Sequence, residues 1–196
     1  MKPFHLHSAY PVCRHHRSTT QRQYALREPE MPKGNGTPRA LHEIFNYLQD
    51  SERYKHTFPE KDLSGLYLYD VAYLAGAYVP RIWYSNVKLP SPLNIRILNN
   101  NDLYEWFTDH SANFGWEEIS DIKLAQQYAG VGHLVTIAAS PKNKRMSGRF
   151  TIVVPDLQME KPAAIPTQAK PGGFFQHDWY KHKKYESYKI YVNFFK

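Results

Sequence analysis

The stretch His133-Leu-Val-Thr-Ile-Ala-Ala139, followed by Pro141-Lys-Asn-Lys-Arg145 and Phe150-Thr-Ile-Val-Val154, decides the fold of this chain. The first and third segments alternate in the manner of strands, and the second is a basic turn. We therefore predict that the two strands pair as a hairpin. A final run, Tyr188-Lys-Ile-Tyr-Val-Asn-Phe-Phe195, predicts a further strand of the same sheet.

Helical patterns precede these strands. Thr37 is placed to cap a first helix and Asp62 a second one that Gly76 ends. The asparagines at 99–101 supply the cap of a third helix, and Ser120 is expected to cap a fourth. The first helix has an apolar stripe at helical spacing: Leu41, Ile44, Phe45 and Leu48. Helices followed by an antiparallel sheet predict an α+β fold.

Length and composition indicate one folded domain. The chain has 196 residues, of which 42% are hydrophobic, and this is enough for a substantial core. Residues 1–36 show no sustained apolar period and end in Pro32-Lys-Gly-Asn-Gly36, so we predict a flexible basic arm followed by a domain over residues 37–196. Cys13 is the single cysteine, which excludes an internal disulfide and a cysteine-based zinc site.

No run has the length of a membrane-spanning helix, and the N-terminus lacks the apolar stretch of a signal peptide. We expect a soluble protein that is made in the cytoplasm. The net charge of +7 is concentrated at the two ends. Residues 1–40 hold seven Lys and Arg against two acidic residues, residues 161–196 again seven against two, and residues 41–160 eleven against fourteen.

The order of these elements resembles that of the NlpC/P60 and CHAP-like cysteine peptidases, which are papain-like enzymes acting mostly on bacterial cell-wall peptides. The resemblance covers roughly residues 60–195. It rests on a helix led by a small residue, on Asn-Asp-Leu-Tyr-Glu-Trp106, on Phe114-Gly-Trp116, on an Ala-Gln-Gln helix and on the hairpin. It implies a papain-like fold of N-terminal helices packed on an antiparallel sheet.

The same resemblance implies that the catalytic residues are lost. Ser64, or its neighbour Gly65, stands where the family has its cysteine, and Arg149 stands where it has its histidine. Gln168 stands where the residue that orients the histidine would lie. A serine without a general base is a poor nucleophile, and arginine stays protonated near neutral pH. We therefore expect a catalytically inactive domain that needs no metal and no cofactor.

An alternative keeps the protein active as a cell-wall amidase or endopeptidase. His133, which begins a strand after Gly132, would be the base. Cys13 or Ser64 would be the displaced nucleophile, and the thiol of Cys13 lies beside Arg14 and two histidines that would lower its pKa.

The inactive interpretation leaves a binding function. We expect a protein partner, or a peptidoglycan-like ligand, to be held in the old active-site groove. The expected aromatic rim consists of Trp83, Tyr84, Trp106, Trp116 and Trp179. The resemblance further implies a bacterial effector or a secretion-associated protein, exported without a signal peptide, with the arm as its delivery segment.

Nucleic acid is the least favoured partner, because no recognised motif accompanies the basic charge. The segment Asp178-Trp-Tyr-Lys-His-Lys-Lys-Tyr185 interleaves aromatic and cationic residues and could contact phosphates or stack bases. An exposed loop before the last strand explains the same composition.

Overall fold

A computed structural model describes residues 36–49, 51, 54, 62–84, 95–157 and 166–194. The predicted arm, apart from Gly36, lies outside the described residues, and so do Cys13 and positions 85–92 of the proline-rich segment. The elements in chain order are α1 (Pro38–Gln49), α2 (Ser64–Ala75), β1 (Ile82–Tyr84), β2 (Ile95–Ile97), α3 (Asn100–Asp109), β3 (Trp116–Ile119), α4 (Ile122–Gly130), β4 (Leu134–Pro141), β5 (Arg149–Val153), β6 (Gln168–Lys170), β7 (Gly173–Phe175) and β8 (Tyr185–Asn193).

A six-stranded antiparallel sheet in the order β3-β8-β4-β5-β6-β7 forms the centre of the fold, and β1 pairs with β2 in a separate hairpin. The predicted hairpin is confirmed, because β4 and β5 pair with Ala138 opposite Phe150. The predicted last strand is also present, although it begins at Tyr185 and lies between β3 and β4. Helices packed on an antiparallel sheet confirm the α+β class.

The two faces of the sheet have separate cores. The first core lies under α1, α2 and α3, and it includes the predicted stripe of α1 as well as Phe150 and Ile152 from β5. The second core lies under α4 and a short 3-10 turn at Trp179–Lys181, and it includes Val153 of β5. Since neighbouring residues of a strand point to opposite faces, β5 contributes its even-numbered side chains to the first core and its odd-numbered ones to the second.

Helix α2 is buried on all sides. Every residue from Ser64 to Ala75 except Tyr73 is buried. The reason is its position, because α2 contacts β4 and β5 as well as α1 and α3. Gly76 adopts the left-handed conformation that ends the helix, as predicted.

The helix caps follow the sequence with two exceptions, the first being α2, whose N-cap position is Leu63 and not the predicted Asp62. Thr37 accepts a hydrogen bond from the backbone of Ala40 at 3.2 Å, and Asn99 forms a capping box with Asp102. The prediction of Ser120 as the cap of α4 is wrong. Asp121 has the extended N-cap conformation, and its carboxylate accepts from Lys123 N at 2.8 Å, so Ser120 lies one residue too early.

Within the described ranges, no helix is long and apolar enough to cross a membrane.

Candidate functional site

Ser64 is the first residue of α2, at the position where the sequence predicted a degenerate nucleophile. Its backbone N–H donates to Asp62 Oδ1 at 2.9 Å, so Asp62 satisfies one N–H of the first turn, although the N-cap position itself is Leu63, which makes no side-chain cap hydrogen bond. The serine is only 7% exposed. Its Oγ accepts two hydrogen bonds, from Phe150 N at 3.0 Å and from Asn100 Nδ2 at 3.2 Å. A hydroxyl oxygen has two lone pairs, so both are engaged within the fold.

Asn100, the first residue of α3, joins three chain segments at this point. Its Nδ2 also lies 2.8 Å from Gly148 O and 3.3 Å from Asp62 O, and its Oδ1 accepts from Gly65 N at 3.1 Å. Because an amide nitrogen carries two protons, the two longer of its three contacts share one of them. We call Asp62, Ser64, Gly65, Asn100 and Gly148 the serine cluster.

Two glycines allow this close approach. A Cβ on Gly65 would collide with Asn100 Oδ1, and a Cβ on Gly148 would lie 3.1 Å from both Ala139 O and Asn101 Oδ1. Asn101 holds the same segment, since its Oδ1 accepts from Gly148 N at 2.6 Å. The N-terminus of α2 is therefore fastened to the start of β5 by direct contact.

Arg149 and Gln168 lie on the other face of the sheet. The guanidinium carbon of Arg149 is 5.0 Å from the ring centroid of Trp179, which belongs to the second core. Gln168 is fully buried, and its Oε1 accepts from Trp179 Nε1 and from Thr151 Oγ1, both at 2.7 Å. Its Nε2 donates to His177 O at 3.0 Å. We call Arg149, Thr151, Gln168 and Trp179 the glutamine cluster.

The three residues predicted to mark the old active site are thus divided. Arg149 and Gln168 are brought together around Trp179, whereas Ser64 contacts β5 only through the backbone of Phe150 on the first-core side. A nucleophile and its base must lie within about 3 Å of each other in the reacting geometry. The side chain of Arg149 does not face Ser64.

His133, the alternative base, lies at the opposite end of β4. It precedes Leu134, while the residue paired with Arg149 is Ala139, and six residues of strand span about 20 Å. Its ring packs between those of Tyr128 and Phe194. Its Nδ1 is buried, and within the described residues it has no hydrogen-bond partner. This position gives His133 no access to Ser64, and Cys13 lies outside the described residues.

The tryptophans expected at a groove rim are mostly core residues. Trp106 is 3% exposed, Trp116 1% and Trp179 6%. The indole of Trp116 donates to Tyr78 O at 2.8 Å, and its ring packs on that of Phe107 from α3 in the first core. The side chains of Trp83 and Tyr84 lie outside the description, although their backbones form β1.

Asn100 is the site residue that sequence reasoning missed, because it was counted only as one of three possible helix caps. One cap needs one side chain, and Asn99 provides it. The two further consecutive asparagines were the signal that this turn satisfies other backbone groups. Among the described residues, no group of three or more His, Cys, Asp or Glu side chains is placed to hold a metal ion.

Comparison with known proteins identifies no relative: no protein-family model matches the chain, and no curated protein matches it.

Proposed function

We propose that this chain is a catalytically inactive, papain-like domain that works by binding a protein partner. The observation that carries the proposal is the double acceptor role of Ser64 Oγ, whose proton no side chain of the described residues accepts. The hydroxyl holds α2 against β5 and α3. A nucleophile in use would instead offer its proton to a base and its lone pair to a substrate carbonyl.

The papain-like identity is part of the proposal. It is supported by the element order and by the N-terminus of α2, which lies directly against the first residues of β5. In the peptidases that this chain resembles, the cysteine and the histidine stand at these two places. The orientation of Arg149 departs from that pattern, so an inactive domain accounts for this site better than an enzyme with a changed nucleophile.

The partner and the setting follow from the resemblance. We propose a bacterial effector or a secretion-associated protein that is made in the cytoplasm, is exported, and engages a host or secretion-system protein. Residues 1–36 are its delivery or docking segment. Deletion of these residues should abolish export while the domain still accumulates in the cell, and unchanged export would contradict this role.

Digestion of purified peptidoglycan sacculi tests the loss of catalysis, with released peptides followed by mass spectrometry. The wild type, Ser64→Ala and the double variant Ser64→Cys/Arg149→His are compared with an active amidase as assay control. We expect no release from any of the three. Release by the wild type would overturn the proposal, and release by the double variant alone would show that positions 64 and 149 can form one site.

Chemical cross-linking in the producing bacterium and in target cells tests the binding function. The Ser64→Ala protein should form the same cross-linked complex as the wild type, because the serine is buried and no step depends on its hydroxyl. Absence of any complex from the wild type in both settings would contradict a protein-binding role.

A further inference from the structure

Two basic turns that are about forty residues apart in the sequence meet at one end of the sheet. The turn after β4 carries Lys142, Lys144 and Arg145, and the segment before β8 carries Lys181, Lys183 and Lys184. The backbone of Lys142 donates to Lys184 O at 3.0 Å, so the turns are in direct contact. All six cationic side chains are exposed. We call this surface the basic corner.

Hydrogen bonds hold both turns in place. In the first turn, Asn101 Nδ2 donates to Met146 O at 3.0 Å, and Asn143 Oδ1 accepts from Arg145 N at 3.0 Å. In the second, Lys184 N donates to His182 Nδ1 at 3.2 Å. The cations therefore project from fixed backbone positions, and less ordering is required when a ligand binds.

The charge of the basic corner is only partly balanced. Lys181 lies 3.7 Å from the carboxylate of Asp178, and a second acidic residue, Glu186, follows in β8. The first turn belongs to the region of the chain that is acidic as a whole, with eleven Lys and Arg against fourteen acidic residues. The tertiary structure adds three cations from that region to three from the basic C-terminal region.

Of the three tyrosines next to these cations, two are buried and not placed for stacking on bases, and the third, Tyr188, is 38% exposed with its ring centroid 4.7 Å from that of Tyr180. Tyr180 is 2% exposed and Tyr185 7%. Lys184 Nζ lies 5.0 Å from the ring centroid of Tyr185, so this ring carries a cation. Recognition of single strands depends on accessible aromatic faces. A duplex requires only cations that reach its phosphates.

We propose that the basic corner binds the phosphate backbone of double-stranded nucleic acid without reading its sequence. A duplex carries one negative charge per about 1.7 Å of its axis, a higher density than an extended acidic peptide with its rise of about 3.3 Å per residue, and it is rigid like the corner itself. An anionic membrane also attracts basic segments, at about 1 kcal/mol for each Lys or Arg near its surface, and apolar side chains that insert strengthen this binding. Near the corner, the exposed large apolar side chains of the described chain are only Met146 and Tyr188.

This surface is distinct from the serine cluster and does not depend on the protein-binding proposal. The absence of a recognised nucleic-acid motif weighs against reading of bases and not against contacts to phosphates, which carry no sequence information.

Fluorescence anisotropy with a labelled 20-base-pair duplex tests the proposal, using the full chain over a series of salt concentrations. The variant Lys142→Gln/Lys144→Gln/Lys183→Gln removes three cations from the corner. The matched control Arg39→Gln/Lys123→Gln/Lys170→Gln removes three exposed cations elsewhere, so it has the same net charge as the corner variant. Thermal unfolding of each protein shows that both variants are folded.

We expect the corner variant to bind about tenfold or more weakly at low salt, with a slope of log K against log salt that is flatter by up to about 2.7, since each phosphate contact contributes about 0.9. The control should bind like the wild type, and a change of duplex sequence should have no effect. Equal binding by the two variants would overturn the proposal. It would also be overturned if the corner variant lost only binding to oligoglutamate or to phosphatidylserine vesicles.

Discussion

The two faces of the central sheet bury polar side chains in different ways. On the first face, Ser64 and Asn100 bond mainly to backbone groups of Asp62, Gly65, Gly148 and Phe150, so that side chains complete the hydrogen bonding of chain segments that meet. On the second face, Gln168 bonds to the side chains of Thr151 and Trp179 as well as to the backbone. Both clusters resemble parts of one catalytic site in the sequence, yet β5 separates them.

Their difference shows why burial and partners decide the role of a polar residue. The serine cluster joins α2, α3 and the start of β5, and all of its members except the exposed Asp62 are buried. The glutamine cluster keeps a cation, Arg149, that is half-buried beside an indole. Four measurements test this contrast.

Asn100→Ala should have the largest effect. It leaves Gly65 N–H without its partner in a buried place and reduces the donors to Gly148 O to the Ser147 hydroxyl, and each unsatisfied buried group costs about 1–3 kcal/mol. We expect the free energy of unfolding in urea to fall by about 3–4 kcal/mol. Asn113→Ala, at an exposed position of the 3-10 turn after α3, is the control and should change little. A loss below about 1 kcal/mol for Asn100→Ala would mean that water replaces the amide.

Gln168→Leu should have the second-largest effect on stability. The apolar side chain leaves Thr151 Oγ1, Trp179 Nε1 and His177 O without this partner, and we expect a loss of about 2–3 kcal/mol in urea unfolding. The indole of Trp179 should also lose its fixed environment, visible as a change in near-ultraviolet circular dichroism. Gln127→Leu, on the exposed face of α4, serves as the control. A loss as small as that of the control would mean that the hydrogen bonds of the glutamine cluster contribute little to the stability of the fold.

Buried tyrosines on both faces should make the fold sensitive to high pH. Burial raises the pKa of Tyr78 near the first core and of Tyr180 in the second to about 12. In the unfolded chain tyrosine ionises near pH 10, so the folded state binds the phenolic proton more tightly. Stability from this source is complete below pH 10 and is lost as the pH rises from about 10 to about 12.

Urea unfolding between pH 8 and 11 measures this loss. Tyr78→Phe and Tyr180→Phe should each reduce the decline above pH 10, one on each face of the sheet. Tyr47→Phe, at a position that is 46% exposed, is the control. A decline that neither variant reduces would assign alkaline unfolding to other groups.

The smallest expected effect is the coupling free energy between Ser64 and Arg149 in a double-mutant cycle on stability. Ser64→Ala should cost about 1–2 kcal/mol, because it removes the acceptor of Phe150 N. Arg149→Ala should cost less, because the cation remains partly exposed. Because the two residues lie on opposite faces and share no side-chain partner, the stability changes of the two substitutions should add within about 0.5 kcal/mol. A coupling above about 1 kcal/mol in the double-mutant cycle would place both residues in one site after all.

Much of the fold could be predicted from local patterns. The apolar spacing of Leu41, Ile44, Phe45 and Leu48 specified α1, and the alternating runs on either side of 141–145 specified the β4–β5 hairpin. Such predictions succeed because the periods of helix and strand are local properties of the chain. Burial of α2 on all sides could not be predicted, because it depends on elements that come later in the sequence.

The candidate site could be predicted only in part. Ser64, Arg149 and Gln168 were selected by position along the chain, and each is involved in a buried or half-buried polar cluster. Their division between two faces depends on the alternation of β5 relative to α2, where a shift of one residue would exchange the faces. Asn100 could not be assigned a role beyond capping, since its partners are 36 and 48 residues away.

The sequence by itself determined the α+β class, the positions of the helices and the main hairpin, and the excess of cations at the C-terminal end, because composition and periodicity are written in neighbouring residues. Only the tertiary structure decided that Ser64 is hydrogen-bonded to Asn100 and β5 and that two basic turns meet. It also decided that Arg149 packs on Trp179 on the face of the sheet opposite Ser64. The physical reason is that hydrogen bonds and charges act through space. Their partners are fixed only after strands and helices have packed, and the same residues would have other neighbours in another arrangement of the same elements.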